Sequence, residues 1–308
     1  MKRLNYIVAV VLLAGVAGLL GSCVKDNEDV IDYDVALQFN PAIMSQVKSD
    51  FSSYPQEIPF GVAACTLPSD NTWENGCASA EAFLTDEKVE YKNGQWLPAS
   101  NCNWPHVGKR LSVAAYSPYG AASGCSVKDG ITFSNVNTLE NQHTLLYTDP
   151  VTDLHKSIYG GVVALPFKHA LSKINIKVKN LVDTMDVILV KEIRLPGIKH
   201  KGSFKSLPNA NWTLQDDTTE LLFFRGEHES IQAPKSLGET FMILPQQLNT
   251  HFEVDFRYYT SAGTYLNMSL RSRDVETYLQ PGRSYTYTLS IGIDEVKFLL
   301  EVIDSQLQ

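Results

Sequence analysis

The sequence predicts an all-β protein built as two antiparallel β-sandwich domains in series, and three observations carry that prediction. The stretch from Leu165 to Lys179 reads LPFKHALSKINIKVK, with Ile174, Ile176 and Val178 alternating against Asn175, Lys177 and Lys179. A period of two marks a strand with one face in a core and the other in water. Every cysteine precedes this stretch, and the longest clean alternations follow it, so it reads as the seam between two β domains. Third, the half before the seam holds no helix-period run long enough for a major helix.

The chain opens with Lys2 and Arg3 and then an apolar run from Ile7 to Leu20. A short basic region before such a run is a secretory signal, and the run is too short to span a bilayer stably. It ends in Leu20-Gly21-Ser22-Cys23, which resembles a bacterial lipobox. The resemblance implies that residues 1–22 are removed and that Cys23 carries acyl chains anchoring the protein in the outer membrane. Each buried methylene would contribute about 0.8 kcal/mol. Val24-Lys25-Asp26-Asn27-Glu28-Asp29 reads as a solvated acidic tether, and it also resembles the lysine-plus-acids signal for display on the outer face of that membrane.

Residues 23–50 are expected to hold this lipidated tether and one removable strand. In DYDVALQFNPAI, Val35, Leu37 and Phe39 point inward, and polar chain from Ser45 to Tyr54 follows. A strand flanked by flexible chain on both sides can leave without tearing a core.

Residues 51–160 form the expected first domain. Pro59 to Leu67 and Leu111 to Tyr119 read as strands, and the clearest hairpin is Val89 to Lys92, Asn93-Gly94, Gln95 to Leu97. Asn-Gly suits the type I′ turn, whose two central residues need positive φ to match the twist of antiparallel strands. Cys65, Cys77, Cys102 and Cys125 all lie here. In an exported protein they are candidates for disulfides, with free buried thiols as the alternative; no pair has the close spacing of a structural zinc site.

Residues 161–308 form the expected second domain. Phe241 to Gln246 is a strand stopped by proline; Phe252, Val254, Phe256 and Tyr258 alternate with acids and arginine, and a turn at Thr260 to Gly263 leads into Leu266, Met268 and Leu270. Pro281-Gly282 turns the chain into Tyr285, Tyr287, Leu289, Ile291 and Ile293, and Val296 to Val302 is the last candidate strand. Short connections throughout predict antiparallel sheets.

Composition excludes several function classes. Charged residues make up 19% of the chain and hydrophobic ones 44%, and the net charge is −8, made two units more negative by loss of the leader. Such a balance favours solubility and gives no basic surface for nucleic acid. No catalytic motif occurs: neither H-E-x-x-H, nor G-x-S-x-G, nor a phosphate-binding glycine loop. Glu227-His228-Glu229 is read as exposed loop rather than metal site, so neither an enzyme nor a cofactor is expected. Fourteen tyrosines and four tryptophans leave room for an aromatic platform that stacks on sugars. Trp73 and Trp104, in loop-like contexts, are its candidates, which gives an alternative function: a surface glycan-binding lipoprotein that does not polymerise.

Several stretches, in order, resemble Bacteroidetes fimbrillin-type pilins: Cys23 with its lipobox, the Trp96 and Trp104 pair, AAYSPY at 114–119, HTLLYTD at 143–149, FKHALSKINIKV at 167–178, FMILPQQ at 241–247 and LQPGRSYTYTLSI at 279–291. The resemblance implies two transthyretin-like β-sandwich domains and a role as a fimbrial subunit or fimbria-associated lipoprotein in adhesion. Its partners would be other fimbrial subunits and a host or bacterial surface glycan or protein. In that family a strand near the N-terminus is cut away by a trypsin-like protease and a neighbour's strand replaces it. Val35 to Ile43 is the candidate plug here and Val296 to Val302 the candidate donor. The chain departs from the pattern in having no arginine between Arg3 and Arg110, so Lys48 is the candidate processing site.

Overall fold

Alternating side chains become strands over most of the chain. The computed structural model describes residues 34–44, 51–156, 160–182 and 186–304, and these include a single-turn α-helix, Trp73–Gly76, followed by a 3-10 turn, Cys77–Ser79. Eleven strands occupy the first part: β1 (Gln38–Met44), β2 (Phe51–Ser53), β3 (Phe60–Pro68), β4 (Glu81–Lys92), β5 (Gln95–Pro98), β6 (Lys109–Ser117), β7 (Gly124–Ser126), β8 (Gly130–Asn137), β9 (Leu146–Tyr147), β10 (Val151–Leu154) and β11 (Val162–His169). The rest are β12 (Ser172–Asn180), β13 (Val187–Lys199), β14 (Lys201–Lys205), β15 (Asn211–Leu214), β16 (Thr218–Ser230), β17 (Lys235–Ser236), β18 (Phe241–Ile243), β19 (Gln247–Thr250), β20 (Glu253–Tyr259), β21 (Tyr265–Arg271), β22 (Val275–Tyr278), β23 (Arg283–Ile291) and β24 (Val296–Asp304).

The first sheet runs β6-β3-β4-β5-β1-β11-β9, and β9 pairs back onto β6, so these strands close into a ring, with β10 added on β6. Closure removes the unpaired edges that an open sheet exposes. Inside lie Leu37, Phe39, Phe60, Val62, Val113, Leu165 and Phe167, all essentially buried. The Asn-Gly hairpin between β4 and β5 forms as predicted, with φ of 53° at Asn93 and 83° at Gly94.

The second core lies between two sheets, β17-β12-β23-β24 and β16-β13-β20-β21. The expected alternations supply it: Ile174, Ile176 and Val178 from β12, Val254, Phe256 and Tyr258 from β20, Tyr285, Tyr287 and Leu289 from β23.

The two parts interlock. The β14–β15 hairpin reaches back to pair with β8, giving a sheet in the order β15-β14-β8-β7. Phe204 of β14 stacks on Phe133 of β8 at 5.7 Å and meets Tyr147 at 4.8 Å and Trp212 at 5.4 Å. Ala114, Tyr116, Leu171 and Leu244 complete this third apolar cluster.

β11 stays with β1, and the passage from first sheet to second falls at Ala170 and Leu171, inside the Leu165–Lys179 stretch. Three expectations are corrected. The sheets are not uniformly antiparallel, because β1 pairs parallel with β11 and β12 parallel with β23. Each of these partners is separated by a long stretch of chain, enough to run the crossover that parallel pairing needs. Trp104 is buried, and Trp73 is half-buried against the third cluster, its backbone N–H donating to Asp153 Oδ1, so neither forms an exposed platform. Glu227, His228 and Glu229 lie in β16 rather than in a loop; Glu227 pairs with Lys191, and burial holds His228 below its usual pKa.

Phe204→Ala should cost about 3–5 kcal/mol, because the cavity opens between two structural parts that share this ring. Urea unfolding followed by tryptophan fluorescence checks it, with a fall in midpoint expected at unchanged slope.

Candidate functional site

The segment expected to be removable is an interior strand of the first sheet. β1 alternates buried and outward positions: Leu37, Phe39, Pro41 and Ile43 face the core, whereas Gln38, Asn40 and Ala42 are half-buried or exposed. Leu37, Phe39 and Ile43 each contribute about 1.5–3 kcal/mol by leaving water. On one side the strand runs parallel to β11, from Gln38 opposite Val162 to Ile43 opposite Phe167. On the other it meets β5 at Phe39 opposite Trp96, and β2 from Ala42 opposite Ser53 to Met44 opposite Phe51.

The second side has a gap at Asn40 and Pro41, between the β5 and β2 pairings. Proline has no N–H to donate, so it sits where no ladder bond is asked of it. Upstream, Leu37 N–H donates to Cys102 O (3.0 Å), Gln38 N–H to Gly161 O (2.7 Å), and Trp104 N–H to Val35 O (2.8 Å). Gly161 has φ +90°, and a Cβ there would lie 2.6 Å from Val35 Cγ1 and 2.9 Å from Ala36 O.

Beneath β1 is a floor of aromatic rings. Phe60 meets Phe39 at 6.1 Å, Trp96 at 5.2 Å and Phe167 at 5.5 Å; Tyr54 stacks on Phe167 at 5.3 Å and meets Trp96 at 5.3 Å. The Tyr54 hydroxyl is tied to Ser117 Oγ at 2.5 Å, and burial raises its pKa far above the usual phenol range. A groove vacated by β1 would therefore be deep, apolar and flanked by the free backbone edge of β11.

β24 is an edge strand of the other sheet. It pairs antiparallel with β23 from Val296 opposite Ile291 to Asp304 opposite Arg283. Val296 is buried, and Phe298 and Leu300 pack against the core, with the Arg273 guanidinium 4.8 Å from the Phe298 ring. Leu299 is 71% exposed and Ile303 55% exposed, so the strand is apolar on both faces, which is rare at an edge that has no partner to meet.

Cys23 and Lys48 lie outside the described residues, Lys48 in the 45–50 link between β1 and β2. Cys65, Cys77, Cys102 and Cys125 are all free thiols, so the candidate disulfides are not formed here. Burial raises the pKa of Cys65 and Cys102, and pushes Cys125 up to about 12 with the Asp86 carboxylate adding to the effect. Among the described residues, no three of His, Cys, Asp and Glu come together as a metal site. Two parts of the groove were missed from sequence: β2, too short to show a period, and β11 as partner of β1, although Val163, Leu165 and Phe167 already alternate.

The fimbrillin-like family model matches residues 60–304. No curated protein sequence matches the chain. Among solved structures, a fimbrial protein from Bacteroides vulgatus is similar with a TM-score of 0.66 at 18% identity, over 88% of this chain and 99% of that one. A candidate cell adhesion protein from Bacteroides ovatus gives 0.56 at 14% identity, over 90% and 99%, and another from Bacteroides uniformis 0.53 at 17%, over 88% and 98%. At these identities the structures establish likeness of fold.

Two outcomes are expected. Gly161→Ala should loosen β1 by about 1–3 kcal/mol, from strain at positive φ and the clash with Val35 and Ala36; hydrogen exchange should rise in residues 36–44 more than in β20. Cys125 should resist a thiol reagent at neutral pH in the native protein and react promptly in denaturant, since the thiolate is the reactive form.

Proposed function

The chain belongs to the fimbrillin-like family, and from that premise we propose that it is a cell-surface fimbrial subunit that acts in adhesion and assembles by exchange of strands. The observation that carries this reading is β1: a strand paired on both sides, gapped at Pro41, joined to the body through the 45–50 link that contains Lys48. A cut after Lys48 would free β1 from covalent attachment while β2, on the far side of the cut, stays with the body. Noncovalent strand release would then expose the aromatic floor and the β11 edge.

β24 fits the vacancy by pattern. From Leu37, just before β1, the buried positions read Leu37, Phe39, Pro41, Ile43 at a spacing of two, and one face of β24 reads Val296, Phe298, Leu300, Val302 at the same spacing. Each series places its phenylalanine second. A β24 from a neighbouring subunit, laid parallel to β11, would put Phe298 where Phe39 sits and Leu300 where Pro41 sits. Such a contact is head-to-tail and does not close on itself, so it generates filaments. In this reading Cys23 carries the lipid that holds the unprocessed subunit on the outer membrane.

Brief treatment of the mature protein with a trypsin-like protease should remove the residues up to Lys48 and produce a ladder on an unboiled denaturing gel. Phe298→Asp should be processed equally and form no ladder. A protein that stays intact and monomeric after treatment would overturn the stalk role, leaving an anchor or tip position.

A further inference from the structure

A second concavity lies where the β14–β15 hairpin faces the β19–β22 pair, with a volume of about 360 Å³. It shares no lining residue with the β1 groove. Trp212, Tyr278, Pro245 and Phe204 are among the residues that line it. The Trp212 ring is fixed: its Nε1–H donates to Ala170 O at 2.7 Å, and Phe204 packs on it at 5.4 Å. Tyr278 is 57% exposed, although its strand is held in register by Gln247 opposite. Trp212 belongs to the packing of the third cluster, whereas the exposure of Tyr278 beside it is not explained by core packing.

The polar lining is neutral. Asn211 and Gln247 line it and are exposed; the Asn211 amide can both donate and accept, and Gln247, whose Nε2 already donates to Leu248 O at 2.9 Å, offers its Oε1 and its second N–H. Gln246, buried behind them, is fully used: its Oε1 accepts from Lys199 N–H at 3.0 Å, and its Nε2 donates to Lys199 O at 2.8 Å and Leu244 O at 3.1 Å. It therefore shapes the wall rather than meeting a ligand. Lys199 is the single charged residue lining the cavity, and its ammonium is paired with Asp216 at 2.8 Å.

One fixed tryptophan ring, one exposed tyrosine ring, neutral amides and no uncompensated charge suit a ligand that is apolar on one face and hydroxylated at its edges. A pyranose ring has that chemistry, with C–H bonds to lay on an aromatic face and hydroxyls for amides. The volume is at the small end for ligand sites, which fits one sugar unit rather than an extended peptide, and the junction of two structural parts is a common place for such sites. We propose that this pocket binds a neutral pyranose unit of a saccharide, stacked on Trp212 and Tyr278 and hydrogen-bonded by Asn211 and Gln247. The glycan alternative expected at Trp73 and Trp104 thus moves to a different pair of rings, and it stands independently of strand exchange.

The test is saturation-transfer difference NMR on the whole mature protein with methyl glycosides of mannose, glucose, galactose, fucose and N-acetylglucosamine. N-acetylneuraminic acid serves as a charged sugar and hexaproline as a peptide that also favours aromatic and proline-lined sites. At least one neutral glycoside should receive saturation on its ring C–H protons. Tyr278→Ala and Gln247→Ala, both at exposed positions, should each weaken that binding by about threefold to tenfold while leaving the far-UV spectrum and any protease-induced ladder unchanged. No signal from any neutral glycoside, a signal that both variants leave intact, or binding of hexaproline or the acidic sugar alone would overturn the assignment. A missing ladder with sugar binding intact would count against strand exchange and not against the pocket.

Discussion

The parallel ladder between β1 and β11 is the interaction on which the first part of the molecule depends. It joins the segment that arrives earliest in the chain to a strand more than a hundred residues later, and it closes a ring that would otherwise have two open edges. Closure puts Phe39 over Phe60 and gives the rings of Tyr54, Trp96 and Phe167 a roof. A strand that is both integral to the core and tethered only through its own ends is held by burial and hydrogen bonding, and these can be supplied by another strand of the same pattern.

Edges elsewhere are handled differently. β24 ends its sheet with exposed Leu299 and Ile303, moderated by Lys297 and Glu301. Charged residues along an edge discourage indiscriminate pairing, whereas the apolar positions retain the capacity to pack once a matching groove is available. The β14–β15 hairpin solves the same problem from within, covering β8 with chain drawn from the other part. The third cluster around Phe204 follows from that reach, and so does the neutral pocket beside it.

Much of this was legible residue by residue. The alternations at Ile174 to Val178, Val254 to Tyr258 and Tyr285 to Ile291 became strands with the predicted faces inward, and the Asn93-Gly94 turn took the positive φ values its residues favour. Trp104 was misread because its loop-like surroundings say nothing about what covers it; in the fold its backbone is bonded to Val35 beside the plug, and its ring is buried. The cysteines were open to two readings, and they stand in different settings: Cys65 on β3, Cys102 beside the first core, Cys125 on β7. The pocket at Trp212 carried no signal, since its residues come from separate stretches scattered between Tyr147 and Pro281.

What the sequence determined by itself is the type and the buried face of the strands long enough to show a period of two, because that period is set by neighbouring residues and by the pleat alone. What only the tertiary structure decided is which strands meet. Nothing local to Gln38–Met44 names Val162–His169 as its parallel partner, and nothing local to Lys201–Lys205 sends it to Gly130–Asn137. Those choices rest on shape and burial summed over distant segments, and both the β1 groove and the sugar-sized pocket are made by them.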